Sequence, residues 1–366
     1  MPEFVPGIEL SRRLYAEAVR PILDAHWPGL PHAAAHVGSG SDVLGYDTEM
    51  SADHFWGPAV HLFLRDEDVG LKDDIVRVMG QELPLELAGY PVGFAESEAE
   101  AGMDYNRLVT TRPLRHHVWP MTIDEFLTRA LNWTPSEGLT PADWLSFPQQ
   151  NLLEVTAGAV HHDDLGDLTH IREQLAWYPR DVWLYLLACG WQRIGQEEHL
   201  MPRAGYVGDE LGSALIGSML VRDVMSLAFL MERRYAPYSK WFGTAFQRLA
   251  CAVDLTAPLW RAQRAETWPE REAALGEAFA VLARMHNGLG ITPAMPEATS
   301  PFFGRPFQVI HGSDFADALI EQIADPLVKA IAERSRIGSV DQFSDSTDLR
   351  EAGHLRRGIR SLHGLV

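Results

Sequence analysis

The sequence predicts a protein of the α+β class, with strands and short helices in its N-terminal part and a bundle of long helices after them. Before residue 165, apolar residues alternate as in a strand at Val60, Leu62 and Leu64, and Gly- and Pro-containing turns separate the segments. After Asp164, apolar residues recur at helical spacing over long stretches. A chain of 366 residues is long enough to form two domains with a core each.

Local signals predict the elements of the N-terminal part. Loosely helical spacing predicts a helix over 8–26, and segments 83–94 and 107–118 are predicted to be strands. Thr122 stands three residues before Glu125, which is the pattern of a capping box at the start of a helix. Another short helix is predicted to begin at Pro141, because Pro favours the first helical position.

The C-terminal elements are predicted to be mostly helices, with Asp209 as the N-cap of the longest one. The predicted helices cover 180–199, 209–234, 239–265, 269–288 and 315–334, and residues 337–366 are predicted to be a tail. The predicted domains are an α+β domain over 1–165, a helical bundle over 166–290, and a C-terminal extension with one helix and a tail over 291–366.

A glycine-serine loop followed by acidic residues is the main candidate for a site. The loop residues are Gly38, Ser39, Gly40 and Ser41, and the acids that follow include Asp42, Asp47, Glu49 and Asp53. Glycine lets successive backbone N–H groups face an anion, and carboxylates beside a strand suit a divalent metal. The loop therefore predicts a phosphate site with Mg²⁺ nearby. An ordinary tight turn with solvated acids is the alternative.

The sequence GSGSDVLGYDTE-x-S-x-DH-x-WGP from residue 38 resembles the DUF4037 family, a branch of the nucleotidyltransferase superfamily related to the kanamycin- and lincosamide-modifying enzymes. Segments 151–168, 178–198 and 205–246 resemble the same family, so that the resemblance covers roughly residues 30–290. It implies a nucleotidyltransferase-like domain with a mixed sheet, a helical bundle, and a cleft between them for an NTP and Mg²⁺. It also implies that Asp53 is the first metal-binding carboxylate.

The sequence departs from the family pattern where further metal-binding carboxylates are expected. Phe55 stands in place of the second carboxylate, and Trp119 stands near the position expected for the third. The resemblance therefore implies a nucleotidyltransferase with a degenerate metal site. It would transfer a nucleoside monophosphate from an NTP to a small-molecule hydroxyl or amine. A catalytically inactive or repurposed ligand-binding protein on the same fold is the alternative.

A basic and aromatic group follows the end of the longest predicted helix and includes Arg233, Tyr235, Tyr238 and Lys240. The family architecture implies that Lys240 meets a triphosphate and that Tyr238 contacts the nucleotide. The alternative is that these cations only complement the dipole at a helix C-terminus. The polar positions within the apolar helices also have two interpretations, interhelical salt bridges or the lining of a substrate pocket. These are Glu197, Glu198, Asp209, Glu210 and Arg222.

The spacing of the histidines does not predict a metal site. The adjacent pairs His116-His117 and His161-His162 would point to opposite faces of a strand. Zinc ligands are usually grouped more tightly than the histidines of this sequence.

Composition narrows the choice of partners. The net charge of −19 argues against a nucleic-acid surface, which needs clustered Lys and Arg. The charge would suit a cationic small-molecule substrate, and an ordinary contribution to solubility is the alternative. The sequence predicts no membrane span and no signal peptide, and Cys189 and Cys251 are expected to be packing residues in a cytoplasmic protein. The acceptor, the nucleotide base and the oligomeric state stay open.

Overall fold

The protein has an α+β fold in the computed structural model, which describes residues 4–51, 56–96 and 104–364. It forms two compact units by its internal contacts. The first unit comprises Met1–Gly138 and Asn151–Ala176, and the second comprises Leu139–Gln150 and Trp177–Val366. The three domains predicted from the sequence stay a prediction.

The first unit contains a mixed four-stranded sheet, whose strands lie in the order β7 (His117–Met121), β2 (Ala59–Leu64), β1 (His32–His36) and β8 (Ala159–Asp163). Strand β1 pairs antiparallel with β2 and with β8, whereas β2 pairs parallel with β7. The strands of the described chain are β1 (His32–His36), β2 (Ala59–Leu64), β3 (Glu86–Leu87), β4 (Tyr90–Pro91), β5 (Phe94–Glu96), β6 (Asp104–Asn106), β7 (His117–Met121), β8 (Ala159–Asp163), β9 (Ser300–Pro301) and β10 (Gln308–Val309).

Helices make up most of the second unit. The α-helices are α1 (Gly7–Leu14), α2 (Arg20–His26), α3 (Lys72–Glu82), α4 (Ile123–Leu131), α5 (Pro141–Ser146), α6 (Gln149–Thr156), α7 (Asp167–Gln174), α8 (Arg180–Glu197), α9 (Leu200–Tyr206), α10 (Glu210–Met231), α11 (Ser239–Phe246), α12 (Ala252–Arg264), α13 (Trp268–Gly288), α14 (Gly312–Ile320), α15 (Pro326–Arg334), α16 (Val340–Phe343), α17 (Thr347–Glu351) and α18 (Arg356–Leu362).

One face of the sheet packs on the N-terminal helices and on α3. A π-helical turn, Tyr15–Val19, joins α1 to α2, so that the helix predicted over 8–26 is present with an irregular centre. Leu62 of β2, Leu14 and Ile75 belong to one buried apolar cluster, with at most a trace of exposed surface. This cluster fixes β1 and β2 side by side and thereby places the loop that follows β1.

The strands predicted over 83–94 and 107–118 are mostly wrong. The first segment holds only the short strands β3 and β4 and the start of β5, and residues 107–116 have no strand. Pro113 has no N–H for a ladder, and the Arg112 guanidinium donates to the carbonyls of Gly80 and Leu83, at 3.2 and 2.7 Å. This part of the chain therefore follows the end of α3 until β7 begins.

The capping predictions are confirmed. Thr122 and Glu125 form a capping box at α4, and Pro141 lies at the start of α5. The Asp209 carboxylate accepts the N–H of Gly212 at 2.8 Å and caps α10. The predicted helix over 239–265 is instead divided into α11 and α12. Glu232 explains the break, because its carboxylate accepts the N–H groups of Ala250 and Cys251 and so caps the start of α12.

The C-terminal segment is more ordered than the sequence predicts. Where one helix and a tail were expected, the described residues form α14 to α18. Val340 and Ile359 are buried, and the Arg360 guanidinium lies 2.8 Å from the Asp143 carboxylate of α5. Residues 337–364 are therefore part of the second unit's packing.

Helix α10 is long and apolar enough to cross a membrane by length and composition, which the sequence analysis did not expect. Half of its most apolar window is buried in the protein. It packs against α8, α9, α12 and α13. Buried core helices share these properties, so that this helix is weak evidence for a membrane span.

Candidate functional site

The glycine-serine loop directly follows β1. Gly38 and Gly40 have φ angles of +95° and +143°, which favour glycine. A Cβ atom on Gly40 would also come within 2.3 Å of Asp42 Oδ1. The Gly38 N–H donates to the carbonyl of Glu154 at 2.7 Å, and the Tyr46 N–H donates to the carbonyl of Ser41 at 2.8 Å. These bonds fix both ends of the loop.

Three successive amides remain between these fixed points. In the part of the chain that the structure describes, no hydrogen bond uses the backbone N–H of Ser39, Gly40 or Ser41. The Ser39 side chain is exposed. Successive free amides in a glycine turn form a concave site for an anion. The sequence-predicted phosphate loop thus has the free donors that this role needs.

Two of the loop acids make structural contacts. The buried Asp42 Oδ2 lies 2.7 Å from Nε2 of the buried His36. Asp47 Oδ2 accepts two hydrogen bonds, from the Gly7 N–H at 2.7 Å and from the Trp56 indole N–H at 3.1 Å. Asp47 thereby ties the loop to the start of α1 and to the approach to β2.

The other predicted metal ligands are Glu49 and Asp53. Glu49 is exposed at the start of the 3₁₀ turn Glu49–Ser51. Asp53 and Phe55 lie outside the described residues. Among the described residues, the loop acids Asp42, Asp47 and Glu49 do not form a group of three metal-ligating side chains. The metal roles of Asp47, Glu49 and Asp53 therefore stay predictions.

Aromatic and imidazole rings cover the sheet beside the loop. A Cβ atom on Gly38 would lie 3.7 Å from His61 Cε1, so that the loop begins against β2. Trp119 stands opposite His61 in the parallel β2–β7 pair, and their ring centroids are 4.8 Å apart. Burial lowers the pKa of His61 to about 3, and the ring is therefore neutral at physiological pH. Trp119, near the position expected for the third metal-binding carboxylate, thus lies on β7, the strand next to β2. A metal site at β2 would require its third carboxylate on a neighbouring strand of this kind.

Tyr238 and Lys240 belong to the second unit. Tyr238 is the N-cap residue of α11, and its N–H donates to Gln150 Oε1 at 3.2 Å. Lys240 is exposed, with its ammonium 5.0 Å from the ring centroid of Trp241. Neither contact excludes a ligand, and the predicted nucleotide roles of both residues stay predictions.

The second unit contains a cavity that the sequence analysis did not identify. Its volume is about 330 Å³, and a smaller cavity of about 110 Å³ shares Arg222, Ser226, Asp341 and Gln342 with it. The full lining of the larger cavity is Gln149, Arg222, Ser226, Leu230, Ala236, Pro237, Ser239, Phe242, Asp341, Gln342 and Arg350. A volume of this size suits a small molecule.

Charged groups converge on this cavity. Arg222 pairs with Asp345, and Arg350 Nε lies 3.4 Å from Asp341 Oδ1. Burial raises the pKa of Asp341, although the Gln149 N–H donates to its carboxylate at 2.8 Å. Arg222 therefore forms a salt bridge and also lines the cavity, and a role in a substrate pocket stays a prediction. Asp341 and Arg350 carried no sequence signal, because they come from the segment predicted to be a tail.

Most of the residues that line the cavity come from one segment of the chain. The same segment matches a protein family. Residues 144–242 match the family described as "Domain of unknown function (DUF4037)". All lining residues except Asp341, Gln342 and Arg350 lie in this DUF4037 segment. The resemblance stated for the Gly38–Trp56 region lies outside it.

The chain was also compared with solved structures and with curated proteins. The solved structure of a nucleotidyltransferase-like protein from Exiguobacterium sibiricum 255-15 is similar to this chain, with a TM-score of 0.33 and 12% sequence identity. The similarity covers 97% of this chain and 89% of that one. No curated protein matches this chain.

Proposed function

We propose that this protein binds the phosphate end of a nucleotide on the Gly38–Ser41 loop, and that it transfers a nucleoside monophosphate slowly or not at all. The amides of Ser39, Gly40 and Ser41, to which none of the described residues provides an acceptor, carry this proposal. They form a turn at the end of a buried strand, which is a common place for a bound phosphate. The motif resemblance from residue 38 supports the same ligand class.

The ancestral chemistry would be transfer to a small-molecule hydroxyl or amine, with Mg²⁺ to neutralise the phosphates. Two-metal transfer needs carboxylates on both sides of a pair of ions about 3.5–4 Å apart. In the described part of the loop, Asp42 contacts His36 and Asp47 Oδ2 already accepts two hydrogen bonds. These contacts already use Asp42 and one carboxylate oxygen of Asp47. This favours the ligand-binding alternative over fast transfer.

The phosphate role is tested by Ser39→Asp. A carboxylate about 4 Å from a phosphate costs roughly 1–4 kcal/mol, which corresponds to at least about a fivefold loss of affinity. Binding of ATP and of adenosine is measured by calorimetry. We expect the variant to lose ATP affinity and to keep any adenosine affinity.

Ser136→Asp is the matched control, because Ser136 is also an exposed serine of the first unit and lies in a 3₁₀ turn, Pro135–Glu137. It should bind ATP like the wild type. Equal ATP affinity in Ser39→Asp and wild type would show that the Gly38–Ser41 loop does not bind the phosphates. A wild-type protein that binds no nucleotide at all would overturn the proposal.

Slow transfer is tested by pyrophosphate release with a panel of amine and hydroxyl acceptors. We expect little or no turnover by the wild type with Mg²⁺·NTP, and an increase in Phe55→Asp if that position faces the metal site. Asp53→Ala is the control for metal-dependent chemistry. Brisk wild-type turnover that disappears in Asp53→Ala would show that the degenerate-site interpretation is wrong.

A further inference from the structure

Strand β8 contains an irregularity that brings two histidines to the same place. In its pairing with β1, Ala34 stands opposite His162 and Ala35 opposite Val160, so that His161 is an extra residue. Adjacent strand residues normally point to opposite faces, and a bulge re-aims one of them. Both rings consequently lie beside Tyr15, with centroid distances of 6.4 Å for His161 and 5.8 Å for His162.

His162 forms a cluster with His32 of β1 and Asp164. One ligand atom from each of the three lies within 4.8 Å of the others, and no other such group of three occurs among the described residues. His162 Nε2 is 2.9 Å from Asp164 Oδ1, and His32 Nδ1 is 3.9 Å from Asp164 Oδ2. The cluster lies at the start of β1, whereas the phosphate loop follows the end of that strand.

The hydrogen bonds of His32 fix which ring nitrogen carries the lone pair. Nδ1 lies 2.8 Å from the carbonyl of Leu30, which can only accept, so that Nδ1 carries the proton. Nε2 therefore holds the lone pair, which accepts the Tyr15 hydroxyl at 2.9 Å. Metal-binding histidines are commonly held in this way, with the second nitrogen bonded to a backbone carbonyl.

The His162 ring is a second indication that this cluster binds a cation. Its Nε2 is buried, and among the described residues it has no hydrogen-bond partner of good geometry, although Asp164 Oδ1 is close. A buried ring nitrogen without a partner is unfavourable. A cation between Nε2 and the carboxylate would satisfy both. The Asp164 side chain is 40% exposed, so that the cluster is open to solvent on one side.

We propose that His32, His162 and Asp164 bind one divalent transition metal of the zinc type, with the remaining coordination position open to water. Two imidazoles and one carboxylate suit Zn²⁺ or Co²⁺ better than Mg²⁺ or Ca²⁺, which prefer oxygen ligands. Nε2 is the His32 nitrogen left to bind the metal, because Nδ1 donates to the Leu30 carbonyl, and binding through Nε2 displaces the Tyr15 hydroxyl. The 3.9 Å contact of Nδ1 with Asp164 Oδ2 therefore shows only that the ring lies beside the carboxylate. The Arg20 guanidinium lies 3.4 Å from the Tyr15 hydroxyl and is paired with Asp24 at 3.1 Å, which offsets its charge.

The test uses the full chain after chelator treatment and titrates it with Co²⁺. We expect the protein to bind one equivalent of Co²⁺ tightly and to show the visible absorption bands of a four- or five-coordinate Co²⁺ ion. Added Zn²⁺ should displace the Co²⁺ and abolish these bands. His162→Ala and Asp164→Asn each remove a ligand. Each should lower the Co²⁺ affinity by more than the roughly 10–100-fold that loss of an outer-shell partner costs.

The matched control is His26→Ala, because His26 and Glu82 form an exposed imidazole–carboxylate pair at 2.8 Å in the same unit. This variant should bind Co²⁺ like the wild type. Far-UV circular dichroism establishes that the variants fold, which is expected because His162 and Asp164 reach the surface. Absence of stoichiometric Co²⁺ binding in the wild type would overturn the proposal, and so would unchanged affinity in both ligand variants.

Discussion

The free energy of unfolding should fall steeply as the pH is lowered from 7 to 5. His286 is fully buried, its Nδ1 accepts the Trp191 indole N–H at 3.2 Å, and its Nε2 lies 2.8 Å from Thr292 Oγ1. Burial lowers the pKa of His286 from 6.5 to about 4. Between these values the unfolded state binds a proton that the folded state does not. Stability is therefore lost as the pH falls below 6.5, by about 2 kcal/mol at pH 5.

Other histidines act in the same direction. Burial lowers the pKa of His161 and His363 to about 4, and that of His61 to about 3. Each of them resists protonation in the folded protein. Glu198 and Asp223 act in the opposite direction, because burial raises the pKa of their carboxyl groups to about 7 and about 6, so that the folded state takes up a proton first. The four histidines outweigh these two carboxyl groups, and the wild-type protein should still lose stability.

His286→Asn tests the contribution of a single residue, because the amide oxygen still accepts the Trp191 N–H and does not titrate. Urea unfolding followed by tryptophan fluorescence at pH 7 and at pH 5 gives the change in stability. The variant should lose about 2 kcal/mol less than the wild type between the two values. His170→Asn, at an exposed position of α7, should show the wild-type change. Equal changes in His286→Asn and wild type would contradict the prediction.

The sequence predicted correctly those features that depend on interactions between residues close together in the chain. Thr122 and Asp209 cap helices as predicted, because each cap needs only residues within one turn. The loop at Gly38 was also predictable, because its glycines adopt positive φ angles. The class of the fold followed from the change from alternating to helical periodicity near residue 165.

The other features of the fold and of the candidate site depend on contacts between residues that are distant in sequence. Nothing near Asp47 predicts that its carboxylate accepts the N–H of Gly7, 40 residues away. The histidines of β8 were expected on opposite faces, and only the pairing with β1 introduces the bulge that changes this. Likewise, Asp341 reaches Gln149 and the cavity only after the C-terminal segment has packed in the second unit. In each case the partner is set by tertiary packing, which periodicity does not encode.

Asp47→Ala should lower the free energy of unfolding by about 3 kcal/mol, because it leaves two donors without their charged acceptor. The donors are the buried Gly7 N–H and the indole N–H of Trp56, whose side chain is also buried. Asp47→Asn keeps an acceptor oxygen and should cost only about 1 kcal/mol. Glu49→Ala is the control, because Glu49 is exposed and should leave stability unchanged.

The same variants separate the anchoring role of Asp47 from a role in metal binding. Thermal shifts are measured with ATP and with Mg²⁺·ATP. If Asp47 only anchors the loop, Asp47→Asn should keep the wild-type difference between the two ligands. If it also binds Mg²⁺, that difference should disappear in Asp47→Asn while the unliganded protein stays nearly as stable as wild type. Stability of Asp47→Ala within about 0.5 kcal/mol of wild type would show that the two hydrogen bonds do not hold the loop.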